Sequence, residues 1–349
     1  MIFIFAIAVS LLFFSAKPAK LGSFNRDYLS KDITGNINGL FVILVFMCHI
    51  SEYMDLSSTV GEIWIDVKNW IGQLVVVTFL FYSGYGMMLS IMRKGTSYVK
   101  NIFKCKFLSL LAHFDIAVLL FLVMDILLEI NPGLKKTLLA LTTWDTIGNS
   151  NWYITAVLCL YLIMIISFLV FRKNALCGII SMTVLTVGLT VLFIAVGRPS
   201  WYYNTLIIFP MGMWYAYFKK SIDKIVIKSR TSYITALVIA SAVFGVSHMY
   251  RFVYFLIYWI CAAAFMFIIL LVSMKLKVGN PVLSLFGKHV FSVYILQRIP
   301  MTIFKRLGLV NNNLNYFILC FAATLLMAIV FDALMKKLDA KVFTPKAKV

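Results

Sequence analysis

Charged side chains are scarce in this sequence. Asp, Glu, Lys and Arg make up only 13% of its 349 residues, whereas 62% are hydrophobic. The mean hydropathy of +0.95 is far above what the core of a soluble domain requires. A soluble globular protein is therefore excluded. Apolar runs of roughly 17 to 25 residues, enough for a helix to cross about 30 Å of hydrocarbon, recur along the chain and indicate a polytopic membrane protein.

Two other features are missing. None of the six cysteines falls in a predicted outer loop, so we expect no structural disulfide, and no CxxC or Cys/His spacing indicates a metal site. No connection between apolar runs is long enough to hold a soluble domain. Any chemistry of this protein is therefore expected within or beside the bilayer.

The apolar runs predict an all-α fold, a transmembrane bundle of about eleven helices in which an extra N-terminal span precedes a ten-helix core. We expect an N-terminal anchor span with a basic linker over residues 1–32, the bundle over 33–335 and a basic tail over 336–349. The predicted spans are 2–16, 37–54, 70–92, 107–129, 152–171, 176–196, 201–218, 232–248, 252–273, 283–303 and 314–335.

Basic residues predict the orientation of these spans. Most of the 32 Lys and Arg fall in alternate loops and in the tail, which the positive-inside rule places in the cytoplasm. The N-terminus is then outside and the C-terminus cytoplasmic, and the first span is an uncleaved anchor, with a signal peptide as the alternative. The net charge of +19 is explained by contact with anionic lipid, and no nucleic-acid partner is expected.

Ionisable residues at membrane depth are candidates for function because they are costly in hydrocarbon. One of them, His49, ends an apolar run, and Glu52 follows three residues later, on the same face if the helix continues. A carboxylate there would fix the tautomer of the imidazole and raise its basicity, giving a general base. Packing is the alternative role. The other candidates are His113, Asp115, Asp125, His289, Arg298 and Asp332.

Four stretches resemble the acyltransferase 3 family of integral membrane proteins, many of which O-acetylate surface polysaccharides, over about residues 33–332. They are NINGLFVILVFMCH at 36–49, FLFYSGYGMMLS at 79–90 followed by YVKNIFKCKF, NSNWYITAVLCLYL at 149–162 and SLFGKHVFSVYILQRIP at 284–300. Each stretch alone is weakly specific. Their order and spacing together carry the resemblance.

The resemblance implies roles for the matching positions. His49 stands where the family has its catalytic base, and Asn38 stands where it has a basic residue near the donor. The basic segment matches a cytoplasmic loop in which the family carries an Arg-x-x-Arg pair for the phosphates of acyl-coenzyme A. That pair is absent here, and lysines would act as point charges instead. The candidate donor-binding residues of this segment are Arg93, Lys94, Lys100, Lys104 and Lys106.

Other positions are implied to contact the acceptor or the reacting oxygen. Gln297 replaces a histidine of the family and, with Arg298, would bind an acceptor hydroxyl or a developing negative charge; bracing the bundle is the alternative. Gly84 and Gly86 are expected to serve helix packing. The candidate substrate-binding residues are Ser83, Tyr85, Asn151, Trp152, Tyr294, Gln297 and Arg298.

The implied function is a membrane O-acyltransferase. It would move an acetyl or other acyl group from cytoplasmic acetyl-CoA or another acyl-CoA to a hydroxyl of a surface or secreted polysaccharide or a lipid-linked glycan, in the inner membrane of a bacterium. The alternative is a transporter or flippase of lipid-linked glycans in which His49 and Asp115 line a pathway. A glycan polymerase or ligase would bring a large outer loop that this chain lacks.

Overall fold

The computed structural model describes residues 1–20 and 22–344 and is built almost entirely of helices. The helices are α1 (Ile2–Ser10), α2 (Lys31–Ile50), α3 (Thr59–Ile71), α4 (Val77–Lys94), α5 (Thr96–Ile102), α6 (Ser109–Leu127), α7 (Leu134–Leu141), α8 (Trp152–Val170), α9 (Ala175–Ala195), α10 (Ile208–Val226), α11 (Arg230–Tyr250), α12 (Phe255–Lys275), α13 (Pro281–Lys288), α14 (Val290–Leu296), α15 (Arg298–Arg306) and α16 (Asn313–Val342).

Short elements complete the chain. Two antiparallel strands, β1 (Lys17–Pro18) and β2 (Leu276–Lys277), pair residue by residue. The 3₁₀ turns are Gly72–Val76, Ser200–Tyr202 and Leu309–Asn311, and a π-helical segment covers Phe103–Leu108. The end of the bundle that holds β1 and β2 is called the strand end below. The opposite end, where α2 terminates, is called the His49 end.

The predicted all-α bundle is confirmed, while the count of eleven spans is not. Within the described residues, eight helical segments are long and apolar enough to cross a membrane. The first predicted span contains only the nine-residue α1, which packs on α3 through the Phe5 and Trp64 rings, 5.8 Å apart. The seventh is α10, whose C-terminal half carries Lys219, Lys220 and Asp223.

The tenth predicted span is broken into three helices, α13, α14 and α15. Proline lacks the N–H that would bond four residues back, and its ring clashes with that carbonyl. Pro300 therefore opposes a continuous helix through Leu296, and α14 ends at that residue. The break leaves Gln297 and Arg298 at a helix junction beside the end of α2.

Part of a predicted outer loop is helical. Residues 59–71 form α3, which begins where Ser58 Oγ accepts a hydrogen bond from the Gly61 N–H at 3.2 Å. At the other end of the chain, α16 extends seven residues past the predicted bundle boundary at 335. The last five residues of the predicted tail lie outside the described residues.

Glycines set the closest helix crossings. A Cβ on Gly39 would lie 1.9 Å from the Leu283 carbonyl oxygen, and one on Gly287 would lie 2.0 Å from the Gly35 carbonyl oxygen. Backbones this close admit no side chain, as in other membrane helix pairs. The pair α2 and α13 is thereby held in contact. Because α2 carries His49, this crossing helps to set the position of that histidine.

A second glycine crossing joins α4 and α10. A Cβ on Gly84 would lie 2.0 Å from the Phe209 carbonyl oxygen, and one on Gly212 would lie 2.2 Å from that of Phe81. The packing role expected for Gly84 is confirmed. Gly86 faces open space instead, with nothing within 4 Å of its Cβ position.

Candidate active site

A cavity of about 770 Å³ opens at the His49 end of the bundle. The last turn of α2 contributes Cys48 and His49 to its wall. The segment from α3 into the following 3₁₀ turn forms the opposite side. Further lining comes from helix ends and loops that are distant in sequence, namely Trp152, Trp201, Arg251, Phe252 and Tyr294. The cavity therefore collects residues from six parts of the chain.

His49 lies half-buried in this wall with polar neighbours from α14. Its ring centroid is 6.2 Å from that of Tyr294, and Gln297, which is fully buried, is a neighbour of the ring. Gln297 Nε2 donates to the Tyr294 carbonyl oxygen at 2.9 Å. Within the described residues, His49 Nδ1, the Tyr294 hydroxyl and Gln297 Oε1 are buried without a hydrogen-bond partner.

Such unsatisfied groups are rare in folded proteins, and each calls for an explanation. In the part of the chain that the structure describes, four residues lining this cavity each have a buried polar atom without a hydrogen-bond partner, namely His49, Gln73, Arg251 and Tyr294. An arrangement of this kind costs stability. A concave site whose polar groups converge without partners is typical of a ligand-binding site.

The predicted hydrogen bond between Glu52 and His49 does not form. Helix α2 ends at Ile50, and the Glu52 N–H closes a turn on the His49 carbonyl oxygen at 3.1 Å. The predicted hydrogen bond requires α2 to continue through Glu52, which it does not. The Glu52 carboxylate instead accepts from Arg298 Nη2 at 2.8 Å. Arg298 also donates to Ser150 Oγ at 3.3 Å and to the Tyr53 hydroxyl at 3.4 Å.

The predicted acceptor residues divide into two groups. Trp152 and Tyr294 line the cavity, whereas Asn151 beside them donates to the carbonyl oxygens of Thr143 and Asp145, at 2.9 and 3.0 Å. Asn151 thus ties down a loop next to the cavity.

Ser83 and Tyr85 lie outside the cavity wall. Ser83 Oγ lies 4.0 Å from Met87 Sδ, one turn further along α4. The Tyr85 ring lies 6.4 Å from that of Tyr215 in a separate core cluster. Of the residues that the resemblance groups as substrate-binding, Ser83 and Tyr85 are therefore not in the cavity that Trp152 and Tyr294 line.

The predicted donor-binding residues also lie away from His49. Arg93, Lys94, Lys100, Lys104 and Lys106 are all exposed, and none makes a side-chain hydrogen bond or ion pair within residues 1–20 and 22–344. Helix α4 starts beside the cavity and reaches Lys94 after 18 residues, a rise of about 25 Å. These cations lie at the strand end.

Asn38 occupies an interior position on α2. Its side chain is half-buried, and its Oδ1 has no partner in the described part of the chain. Asn38 lies eleven residues before His49 on the same helix, a separation of about 16 Å. A direct role for Asn38 at His49 is therefore not supported by this geometry.

The predicted spans do not include the two cations of the cavity. Arg251 lies between the spans predicted at 232–248 and 252–273, and Lys68 lies between those at 37–54 and 70–92. One local signal was present, since His248 and Arg251 are three residues apart and do form a hydrogen bond, with Arg251 Nη1 and His248 Nδ1 separated by 3.0 Å. The position of Arg251 in the wall of the same cavity as His49 depends on long-range packing.

Two further clusters combine a histidine, a serine and an aspartate. His289 Nδ1 and Ser292 Oγ both bond to the Asp332 carboxylate. Ser109 Oγ donates to Asp339 Oδ1 at 2.7 Å, and His113 Nε2 lies 3.0 Å from the same oxygen. These contacts join α14 and α6 to α16. Neither cluster lies in the wall of the cavity.

Similarity to known proteins identifies the family of this chain. A family model described as an acyltransferase domain matches residues 36–332, most of the chain. No curated protein and no solved structure is detectably similar to the sequence. Among the described residues, no three His, Cys, Asp or Glu side chains come together as a metal site would require.

Proposed function

The chain belongs to this acyltransferase family and is an integral membrane protein, and from that premise we propose that it transfers an acyl group from acyl-coenzyme A to a hydroxyl of a glycan, with His49 as general base. One observation carries the proposal. A histidine with a free ring nitrogen lines the cavity in which buried polar groups of this chain converge. The family assignment favours transfer over the transporter alternative.

In this reaction the proton of the acceptor hydroxyl is transferred twice, first to His49 and then to the leaving thiolate. The acceptor hydroxyl oxygen attacks the thioester carbonyl carbon while His49 takes the hydroxyl proton. The tetrahedral intermediate then expels the thiolate of coenzyme A, which receives that proton from the imidazolium, so the products are the ester and free coenzyme A. General-base assistance of this kind accelerates a reaction by roughly 10² to 10⁴.

Gln297 takes the orienting role that the sequence suggested for Glu52. Its Oε1, which has no partner among the described residues, is an acceptor next to the His49 ring, suited to hold a ring N–H and thereby fix the tautomer. The Tyr294 hydroxyl, also without a partner in residues 1–20 and 22–344, is available to donate to the oxygen on which charge develops. Glu52 acts indirectly, because its carboxylate binds Arg298 at the junction between α14 and α15.

The donor is proposed to enter from the strand end. The exposed cations from Arg93 to Lys106 would bind its phosphates as point charges, and its acyl thioester would then extend along α4 toward His49, over about 25 Å. The acceptor glycan would reach His49 through the opening of the cavity. With the strand end in the cytoplasm, as the basic residues predict, this is transfer across the inner membrane of a bacterium to a surface or lipid-linked glycan, acetyl being the expected group.

The test is a pair of substitutions on one turn of α2. His49→Gln removes the base and should lower transfer at least 100-fold, whereas Cys48→Ala, which changes the neighbouring cavity residue, should retain most activity. Purified protein in lipid nanodiscs would be assayed for release of free coenzyme A from acetyl-CoA with extracted surface glycan, and cells for base-labile acetyl on that glycan. Transfer by His49→Gln at the rate of Cys48→Ala would refute the proposal.

A further inference from the structure

Two cations, Arg251 and Lys68, line the cavity that also contains His49. Arg251 is only 9% exposed. Burial of a guanidinium is costly unless a carboxylate and further hydrogen bonds compensate it. Within the described residues Arg251 has no carboxylate partner, although the chain pairs Arg298 with Glu52 nearby.

The partners that Arg251 does have are neutral. Its Nη1 donates to the His248 carbonyl oxygen at 2.6 Å, and its Nη2 donates to the Asn69 carbonyl oxygen at 3.0 Å. His248 is held in turn, because its Nε2 lies 2.8 Å from the Trp70 carbonyl oxygen. Arg251 Nε is buried and unpartnered in the described part of the chain. The guanidinium is thus fixed in place by α3 and α11 while its charge stays uncompensated.

Two carboxylates, Glu52 and Asp66, also line the cavity. Glu52 is neutralised by Arg298 at 2.8 Å. Asp66 lies on an exposed edge of α3 and also borders a neighbouring apolar cavity. Lys68, two residues on, lines the same cavity as His49. An anion that entered the cavity would therefore meet two cations, Lys68 and Arg251, against the compensated Glu52 and one exposed carboxylate, Asp66.

Aromatic side chains surround the cations. Trp70, Trp152 and Trp201 line the same cavity, and the first and last are about half exposed, at 52% and 48%. Large rings with one polar atom form broad contact surfaces with little loss of conformational entropy. A space of about 770 Å³ lined by three tryptophans and two cations is large enough to admit a sugar residue and carries groups suited to a charged one.

We propose that Arg251 and Lys68 bind an anionic group on the acceptor sugar, a carboxylate or a phosphate, and so select acidic glycans for acylation at His49. The inference rests on the proposed function and adds the substrate class to it. Arginine is suited to this role because its fork of N–H donors matches the oxygens of either anion. The bound anion would compensate the charge of Arg251, which has no carboxylate partner among the described residues.

Binding can be measured without catalysis. Purified protein in nanodiscs of zwitterionic lipid would be titrated with methyl glucuronide, methyl glucoside 6-phosphate and neutral methyl glucoside, with tryptophan fluorescence as the readout. We expect at least one anionic probe to bind at least tenfold more tightly than the neutral glucoside, with an affinity that falls as salt increases. The stronger anionic probe then identifies the source of the charge. Equal binding of all three probes would overturn the proposal, as would displacement of the anionic probe by an equimolar amount of coenzyme A.

Variants connect the affinity to the two cations. Arg251→Gln and Lys68→Gln should each weaken binding of the anionic probe about tenfold, while Arg306→Gln, which removes an exposed cation at the same end of the bundle, should leave it unchanged. Arg251 also holds α3, so thermal unfolding of each variant would be recorded, and Lys68→Gln decides the matter if Arg251→Gln unfolds. Unchanged anion affinity in folded variants would overturn the proposal. Failure of the His49 test with anion selectivity intact would instead remove the proposed function alone.

Discussion

Three of the four histidines of the chain occupy two contrasting environments. His289 and His113 are bonded to Asp332 and Asp339, two carboxylates seven residues apart on α16, and each carboxylate also binds a serine. His49 lies at the opposite end of the bundle and, in the described part of the chain, has no partner for Nδ1. It faces a cavity, whereas the other two lie at helix contacts.

This difference distinguishes two histidines that join helices from His49, the proposed base. A histidine held by a carboxylate and packed between helices fastens those helices together, and its second nitrogen has no substrate to reach. A histidine without a fixed partner at a cavity costs stability but is free to exchange a proton with a ligand. From the sequence, a nearby carboxylate predicts a functional histidine. In the structure, the two histidines that have a carboxylate partner, His289 and His113, are the ones that join helices.

The largest expected effect comes from breaking the contact that connects the two regions. Helix α2 carries His49 and α13 leads into His289, and they meet where a Cβ on Gly39 would lie 1.9 Å from a backbone oxygen. Gly39→Val should therefore destabilise the protein by more than about 3 kcal/mol and lower its yield of folded protein. Gly35→Ala on the same helix meets nothing within 4 Å and should be neutral or slightly stabilising. Thermal unfolding in detergent measures both, and equal losses would show that the crossing is adaptable.

The second prediction compares the two carboxylates directly. Asp332→Ala should cost about 2 kcal/mol, because it removes the shared acceptor of His289 and Ser292. Glu52→Ala removes a half-exposed ion pair and should cost about 1 kcal/mol or less, but it frees Arg298 and should lower transfer several-fold. The readouts are thermal unfolding and acyl transfer for both variants. A larger stability loss for Glu52→Ala would reverse the assignment of the two regions.

The smallest effect is expected at the distant basic segment. The triple variant Lys100→Gln, Lys104→Gln, Lys106→Gln should raise KM for acyl-CoA several-fold. It should leave KM for the acceptor unchanged, because the acceptor is proposed to bind at the opposite, His49 end of the bundle. A matched control neutralises three other exposed lysines that end or follow α10, Lys220, Lys224 and Lys228. Equal donor kinetics in the two triple variants would assign the segment to membrane orientation alone.

Local chemistry made several features predictable. Apolar runs identify most of the long helices because each must satisfy its own backbone in hydrocarbon, and glycine spacing indicates a close crossing at Gly84. Pro300 was visible too, yet the break it accompanies was not predicted, since hydropathy alone does not register a missing hydrogen bond. The end of α2 before Glu52 was missed for a similar reason. Helix termini depend on capping and on neighbours as much as on composition.

The sequence by itself determined the class of protein, the helical character of the chain, its acyltransferase family and the residue, His49, at the centre of the proposed site. These properties follow from composition and from short stretches of sequence, which do not depend on how the helices pack. The tertiary structure decided the partners. Glu52 reaches Arg298 across 246 positions and Arg251 reaches Asn69 across 182, and pairings over such distances are set by which helices cross and where a helix breaks, information that no local pattern contains.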